Sequence, residues 1–311
     1  MTEITQTPAS LNGVARLTHL GVIRAQGEDS AKFLHGQLTH DFALLGQQEA
    51  RLAAFCTAKG RMQASFIGFK TSDTEILLVC SRDILAATLK RLSMFVMRAK
   101  AKLTDASDAF LVCGLAGGAT QMIAGHALTT WSKGQFGTGS LVQLYPADGT
   151  ARQLWVAPAG SELPPGPELA LPLWLWSEVR SGIATLSQPV VEAFVPQMLN
   201  YESVDGVNFK KGCYPGQEVV ARSQFRGTLK RRAFLVHADG PMQAGDEVFT
   251  PEDAEQPVAT IVQAAPAPEG GYDAILSGQI AAIEQGALLL GTPGKLPLTV
   301  LPLPYALLED I

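Results

Sequence analysis

Hydrophobic residues cluster in short runs of two kinds along the first two thirds of the chain. The runs at 17–25, 64–70, 75–80 and 109–117 are rich in β-branched and aromatic residues and predict strands. The polar turn TSDT between the second and third runs predicts a hairpin. The proline- and glycine-rich stretch 157–172 predicts a connecting loop.

Helical spacing of apolar residues appears between these runs. Asp29 or Ser30 is the predicted N-cap of a helix over 31–42, and 173–183 predicts another helix. Ser81 is the predicted N-cap of a third helix, whose apolar face would carry Ile84, Leu85, Leu89, Leu92, Phe95 and Val96. Strands and helices in this mixed order favour an α+β fold with largely antiparallel sheets.

The pattern changes after Gly227. Short apolar runs alternate with Gly, Pro and Asp turns to the end of the chain, and one short helix is indicated at 278–286. Strands at this spacing are typical of a small β-barrel or sandwich. The sequence therefore predicts a domain boundary near residue 227, with one region at 1–227 and a C-terminal β-barrel at 228–311.

Composition narrows the class of protein. The 311 residues are 47% hydrophobic and 17% charged, which argues against a disordered chain, and the net charge of −5 argues against a protein that coats nucleic acid. The N-terminus lacks the basic start and apolar run of a signal peptide, and no segment approaches the roughly 20 apolar residues of a membrane span. We therefore expect a cytoplasmic protein with no membrane partner, and a monomer.

The cysteines and histidines are scattered. Cys56, Cys80, Cys113 and Cys213 lie far apart, and their spacing predicts neither a zinc nor an iron–sulfur ligand set. Cys113 falls in a predicted strand and is expected in the core. His35 and His40 do not share a helix face well, so they are interpreted as ordinary surface or cap residues.

The stretch NFKKGCYPGQEVVAR, from 208 to 222, carries the strongest candidate chemistry. Lys210 and Lys211 bring positive charge near Cys213, and a helix starting at about Gly216 would place the thiol before its positive N-terminus. Both features favour a thiolate. The same residues also suit a tight Pro-Gly turn, in which the cysteine is only a small residue that fits the turn. The residues alone leave both interpretations open.

These residues carry a family resemblance. KKGCYPGQE resembles the K-G-C-Y-x-G-Q-E signature of the YgfZ family, folate-binding proteins related to the T protein (aminomethyltransferase) of the glycine cleavage system. The segments at 33–41, 53–62, 178–183, 194–209 and 220–231 also resemble the family, so the resemblance covers nearly the whole chain.

The resemblance implies a T-protein-like ring of three subdomains, two interleaved α+β subdomains with antiparallel sheets and the C-terminal barrel. It implies that tetrahydrofolate or a derivative binds in the central hole. It also implies support for synthesis or repair of iron–sulfur enzymes, including the enzyme that methylthiolates tRNA. Cys213 is then the leading functional residue, and the signature is completed by Lys211, Gly212, Tyr214, Gly216, Gln217 and Glu218.

Other folate-binding candidates follow from the same resemblance. Arg180 stands where the T protein has a glutamate that helps hold the pterin ring, and an arginine cannot accept the pterin's N–H hydrogen bonds. It can instead pair with a glutamate tail or stack on a ring. The remaining candidates, each of which also suits an ordinary turn, cap or strand edge, are Lys59, Pro196, Gln197, Asn200, Arg222 and Arg226.

Two further functions stay open at this point. A folate-dependent one-carbon transferase is the first, although Arg180 argues against ordinary aminomethyl transfer. A module with weak tRNA contact is the second, which would use the basic cluster of Arg222, Arg226, Lys230, Arg231 and Arg232. The alternative for that cluster is a strand edge protected by charge.

Overall fold

The computed structural model describes residues 10–121, 129–225, 229–253, 255–291 and 296–308. In the first half the elements are β1 (Gly13–Arg16), β2 (Leu20–Gln26), α1 (Ser30–His35), β3 (Ala50–Cys56), β4 (Met62–Ser72), β5 (Glu75–Ser81), α2 (Arg82–Ser93), β6 (Lys102–Asp105), β7 (Phe110–Ala116) and α3 (Gly118–Gln121). They continue with β8 (Lys133–Phe136), β9 (Gly139–Gln143), β10 (Arg152–Pro158), α4 (Leu171–Arg180), α5 (Gln217–Phe225), β11 (Arg231–Ala238), β12 (Glu247–Phe249), β13 (Ala259–Pro266), β14 (Tyr272–Gln279), α6 (Ile280–Gln285), β15 (Leu288–Leu290) and β16 (Leu296–Leu301).

The strands form two antiparallel sheets and a barrel. The first sheet has the order β3-β4-β5-β2-β6 and the second the order β1-β7-β10-β9-β8. β1 and β2 are neighbours in the chain but belong to different sheets, so the two α+β regions are interleaved in sequence. The six strands β11-β14-β13-β12-β15-β16 close into a barrel.

Most of the predicted elements are confirmed. β4 and β5 form the predicted antiparallel hairpin, and α6 lies in its predicted stretch. α4 overlaps the predicted helix at 173–183 but begins at Leu171, two residues inside the predicted loop. Cys113 is fully buried in β7, as expected. The predicted boundary at 227 falls on residues 226–228, outside the described residues; the first barrel strand begins at Arg231.

The first predicted helix is shorter than the sequence indicated. α1 ends at His35, and the chain then pairs with β3: Leu38 forms a bridge with Phe55, and the Thr39 N–H donates to Ala54 O. Backbone pairing with a strand excludes continued helical hydrogen bonding, so the prediction of helix through 42 was wrong. Ser81 does precede α2, but its hydroxyl contacts the Asp83 carboxylate and makes no bond to the helix backbone.

One hydrophobic cluster joins the parts of the molecule. It includes Val22 of the first sheet, Leu154 of the second, Trp174 of α4 and Ile275 of the barrel. Trp174 packs directly on Gly114, where a Cβ would lie 2.5 Å from the indole ring. The shared core fixes α4 against both sheets. None of the helices in the described ranges has the length and apolar character needed to cross a membrane.

Candidate functional site

Cys213 lies on an exposed loop, four residues before the first residue of α5. The helix begins where the sequence predicted. The other three cysteines are buried, and burial raises the pKa of Cys56 and Cys80 to about 12 and that of Cys113 to about 11. A buried thiol with a raised pKa is unreactive at neutral pH. Cys213 is therefore the accessible thiol of the four.

Lys211 has its ammonium group inside the protein. Nζ donates to the backbone oxygens of His35, Leu38 and Gly212, and it lies 4.5 Å from the centroid of the Tyr214 ring. Burial lowers the pKa of Lys211 to about 8, while the charges of Asp41 and Cys213 act in the opposite direction. Lys211 thus ties the motif loop to the end of α1. Lys210, by contrast, is exposed.

Two glycines bring a second loop against the motif. Gly216 has φ +82°, and a Cβ there would lie 2.4 Å from Thr57 O and 2.7 Å from the Cα of Gly60. The turn 57–61 is closed by two hydrogen bonds: the Thr57 N–H donates to Arg61 O, and the Arg61 N–H donates to the Thr57 hydroxyl. Lys59 is exposed on this turn, and Arg61 donates to Ala193 O. Close backbone packing therefore puts these two basic residues beside the motif.

His35 and Asp41 form a pair next to the motif that sequence reasoning missed. His35 Nδ1 lies 3.0 Å from Asp41 Oδ1, which also accepts the Leu44 N–H at 2.9 Å. Burial raises the pKa of Asp41, but the Leu44 N–H and His35 outweigh it, so the pKa is lowered overall. The Nε2 atom of His35 lies 3.2 Å from the position a Cβ would take on Gly212. The motif and this pair are far apart in sequence, so no local pattern signals the contact.

The other signature residues support the loop. Tyr214 is buried, which raises its pKa, and Gln217 is half-buried at the start of α5. Glu218 and Arg222 are exposed and form an i,i+4 ion pair at 2.8 Å.

The predicted amide residues contact the backbone of neighbouring elements. Gln197 Nε2 donates to Val220 O of α5 at 2.7 Å. Asn200, at φ +58°, both donates to Ala233 O and accepts the Ala233 N–H of β11. Both side chains are fully buried, as is Pro196 within the same 3₁₀ segment. These contacts fasten the segment before the motif to α5 and to the barrel.

Arg180 lies at the end of α4 in a groove between the second sheet region and the barrel. Its Nε and Nη2 atoms donate to Asp148 at 2.7–3.1 Å, and its Nη1 lies 3.5 Å from Asp273 Oδ2. Trp176 donates to Asp273 at 2.8 Å, and His237 Nδ1 lies 2.8 Å from its other oxygen. The groove has a volume of about 460 Å³.

A second cavity lies deeper, between the two sheets and α4. Its lining includes Arg152, Trp174 and the fully buried Glu178, whose Oε1 accepts the Trp174 N–H. Its volume is about 60 Å³. That space holds a few water molecules, whereas small-molecule sites occupy roughly 300–1,000 Å³. The groove beside Arg180 has the volume of a ligand site and the deeper cavity does not.

The basic residues after the motif are dispersed. Arg232 is buried and its Nη1 lies 2.6 Å from Glu202 Oε1, while Lys230 is exposed and Arg231 half-buried. Arg226, a predicted folate ligand, lies outside the described residues. Within the described ranges, no group of three or more His, Cys, Asp and Glu side chains is arranged to hold a metal ion.

The fold is that of the glycine cleavage T protein. The crystal structure of aminomethyltransferase T from Bartonella henselae superposes with a TM-score of 0.66, at 16% identity, over 96% of this chain and 87% of that chain. The match defines a T-protein-like protein: two interleaved antiparallel-sheet regions followed by a β-barrel.

Sequence comparison identifies the family within this class. The tRNA-modifying protein YgfZ of Colwellia psychrerythraea is 30% identical over 245 residues, which is 75% of this chain and 74% of that protein. The YgfZ protein of Sodalis glossinidius is 29% identical over 303 residues, covering 93% and 91% of the two chains. The chain belongs to the YgfZ family. No family model matches it.

Proposed function

We propose that this protein binds a reduced folate in the groove beside Arg180 and supports synthesis or repair of iron–sulfur enzymes through Cys213. The observation that carries the folate assignment is the grouping of Arg180, Asp148, Asp273 and Trp176 in one groove of ligand size. The tRNA-modifying relatives favour a client such as the iron–sulfur enzyme that methylthiolates tRNA.

The chemistry of the groove suits a pterin with a glutamate tail. A pterin ring presents N–H donors, which the partly exposed Asp148 carboxylate can accept. In the resembling T protein a glutamate serves this purpose, and here Asp148, beside Arg180, is the acceptor proposed in its place. The guanidinium itself suits the carboxylates of the tail, because its donors form a planar fork. The Trp176 indole adds an apolar surface for the ring.

The proposed role of Cys213 depends on the exposure of its thiol to other proteins. A client protein can reach a thiol on an exposed loop, and the three other cysteines are buried. Lys211 and Tyr214 hold this loop from inside, while Gly216 lets the 57–61 turn approach it. The remaining signature residues then contribute by fixing the geometry of the loop and of the start of α5.

Replacing the thiol tests the proposal in cells. We expect Cys213→Ala to lower the activity of an iron–sulfur tRNA-methylthiolating enzyme without lowering the amount of the variant protein, because the side chain is exposed and packs against nothing essential to the core. Methylthiolated tRNA nucleosides, measured by mass spectrometry in cells that carry only the variant, give the readout.

Cys113→Ala is the matched control, since it also removes one thiol, from a buried position in β7. It should leave the modification at the wild-type level. If Cys213→Ala at equal protein level leaves it there too, the proposed role of the thiol is wrong.

A further inference from the structure

The carboxylate of the motif segment, Glu218, is paired with Arg222, and the fold brings another group that can accept a proton from far away in the sequence. α1 ends at His35, and the Lys211 ammonium binds the His35 carbonyl oxygen. This contact holds the end of α1 against the motif loop. It brings the imidazole Nε2 to 3.2 Å from the position of a Cβ on Gly212, the residue directly before Cys213.

The ring is held in one orientation. Asp41 Oδ1 lies 3.0 Å from His35 Nδ1, and an ionised carboxylate can only accept a hydrogen bond. Nδ1 therefore carries the proton, and the neutral ring presents an unprotonated Nε2 toward the motif loop. Asp41 is itself fixed by the Leu44 N–H at 2.9 Å. A histidine oriented by a carboxylate, with its other nitrogen free, is the usual arrangement of a general base beside a nucleophile.

Cys213 follows Gly212 directly in the chain. Consecutive Cα atoms are about 3.8 Å apart. A thiol one residue beyond Gly212, on an exposed loop, comes within reach of Nε2 by a small loop movement or through one water molecule. Asp41 contacts the ring, and the charges of Asp41 and Cys213 both act on Lys211, whose ammonium group lies 4.5 Å from the centroid of the Tyr214 ring. Lys59 and Arg61 belong to the turn that packs against Gly216.

We propose that His35, oriented by Asp41, accepts the proton of the Cys213 thiol when that thiol reacts. The inference rests on the proposed role of Cys213 and assigns it an acid–base partner. In exchange with a disulfide, the S–H proton passes to His35 Nε2 and the Cys213 sulfur bonds to one sulfur of the disulfide. The disulfide bond breaks, and the departing thiolate takes the proton from the imidazolium. His35 is then the proton acceptor, and Asp41 is a positioning residue.

The rate of alkylation by iodoacetamide as a function of pH tests this directly. In that reaction a carbon–sulfur bond forms, iodide leaves and the proton stays on the base. The three buried cysteines stay unlabelled while the protein is folded, so the rate reports Cys213. We expect the wild-type rate to rise with pH and to reach a plateau. In His35→Gln, which cannot accept a proton, the midpoint should move up by at least one pH unit.

The matched control is His19→Gln, the same substitution at a histidine that also contacts a carboxylate, 3.1 Å from Glu178 Oε1, away from the motif loop. It should keep the wild-type profile. Asp41→Asn should move the midpoint down and lower the plateau rate, because the neutral amide stabilises imidazolium less and leaves His35 a weaker base. A purely structural contribution of His35 would change the rate at every pH alike and leave the midpoint in place.

Superposable profiles for wild type and His35→Gln would overturn the inference. Mass spectrometry of the labelled protein checks the fold, since an unfolded variant is labelled at all four cysteines. If His35→Gln is labelled at all four, the Asp41→Asn variant replaces it in the test, and a profile that superposes on that of the wild type would overturn the inference. A negative result for His35 can be distinguished from a negative result for the proposed role of Cys213. Unshifted profiles together with lost tRNA methylthiolation in Cys213→Ala would reject His35 as the base and keep the thiol's role.

Discussion

At the scale of single residues, the ammonium group of Lys211 shows how the fold changes what a sequence pattern means. Two lysines beside a cysteine predict a cation that stabilises a thiolate. The structure gives Lys211 three backbone oxygens as partners and leaves Lys210 exposed. The effect of the ammonium group in the fold is to hold α1 against the motif loop.

The lowered pKa of Lys211 makes stability depend on pH in a defined window. Between about 8, its pKa in the folded protein, and 10.5, its ordinary value, the unfolded chain holds a proton that the folded protein has released. The contribution of Lys211 to the free energy of unfolding therefore rises with pH through this window, by about 3 kcal/mol at full titration. In Lys211→Met this contribution should disappear. Urea unfolding at a series of pH values measures it.

Lys210→Met is the control for that series, because it removes the neighbouring charge from an exposed site. Its unfolding free energy should follow the wild-type dependence on pH. A Lys211→Met variant with the same dependence as wild type would mean that the ammonium group is not buried as described.

At the scale of elements, the strands and long helices could be predicted from the sequence, whereas the contacts between loops could not. The hairpin β4–β5 has alternating and β-branched residues bounded by a polar turn, which is a local signal. The end of α1 at His35 has only Gly36, its C-cap, as a local signal, and pairing of the following residues with β3 is what prevents the helix from continuing. The His35–Asp41 pair was missed for this reason: its orientation depends on where that helix stops.

The contact of Gly216 with the 57–61 turn can be tested against a glycine of the same conformation. Gly216 has φ +82° and Gly286 has φ +85°, but a Cβ on Gly286 would meet no atom within 4 Å. Gly286→Ala should cost about 1 kcal/mol of unfolding free energy, the cost of a left-handed conformation. Gly216→Ala should cost about 2–4 kcal/mol, since overlap with Thr57 O adds to it.

Chemical denaturation of the two variants gives the comparison. Equal losses would show that the turn does not pack on Gly216 as closely as described. A larger loss in Gly216→Ala, accompanied by altered reactivity of Cys213, would tie the geometry of the turn to the thiol.

At the scale of the whole molecule, the candidate folate groove exists only where three parts of the chain meet. Asp148 comes from the loop after β9, Arg180 from α4 and Asp273 from β14 of the barrel. Local patterns predicted an α+β region and a barrel, and the family resemblance supplied the interleaved arrangement. Neither the local patterns nor the resemblance predicted that Arg180 pairs with these aspartates, because the pairing depends on how the barrel packs against α4.

The folate assignment is tested most directly by calorimetric titration of the purified protein with tetrahydrofolate. Removing the guanidinium in Arg180→Ala should weaken binding about 10- to 100-fold, the range expected for one lost hydrogen-bonded charge contact. Arg82→Ala, which removes an arginine from a surface ion pair with Asp108, should bind as wild type does. Equal affinity in wild type and Arg180→Ala, or no binding to the wild-type protein, would contradict the account.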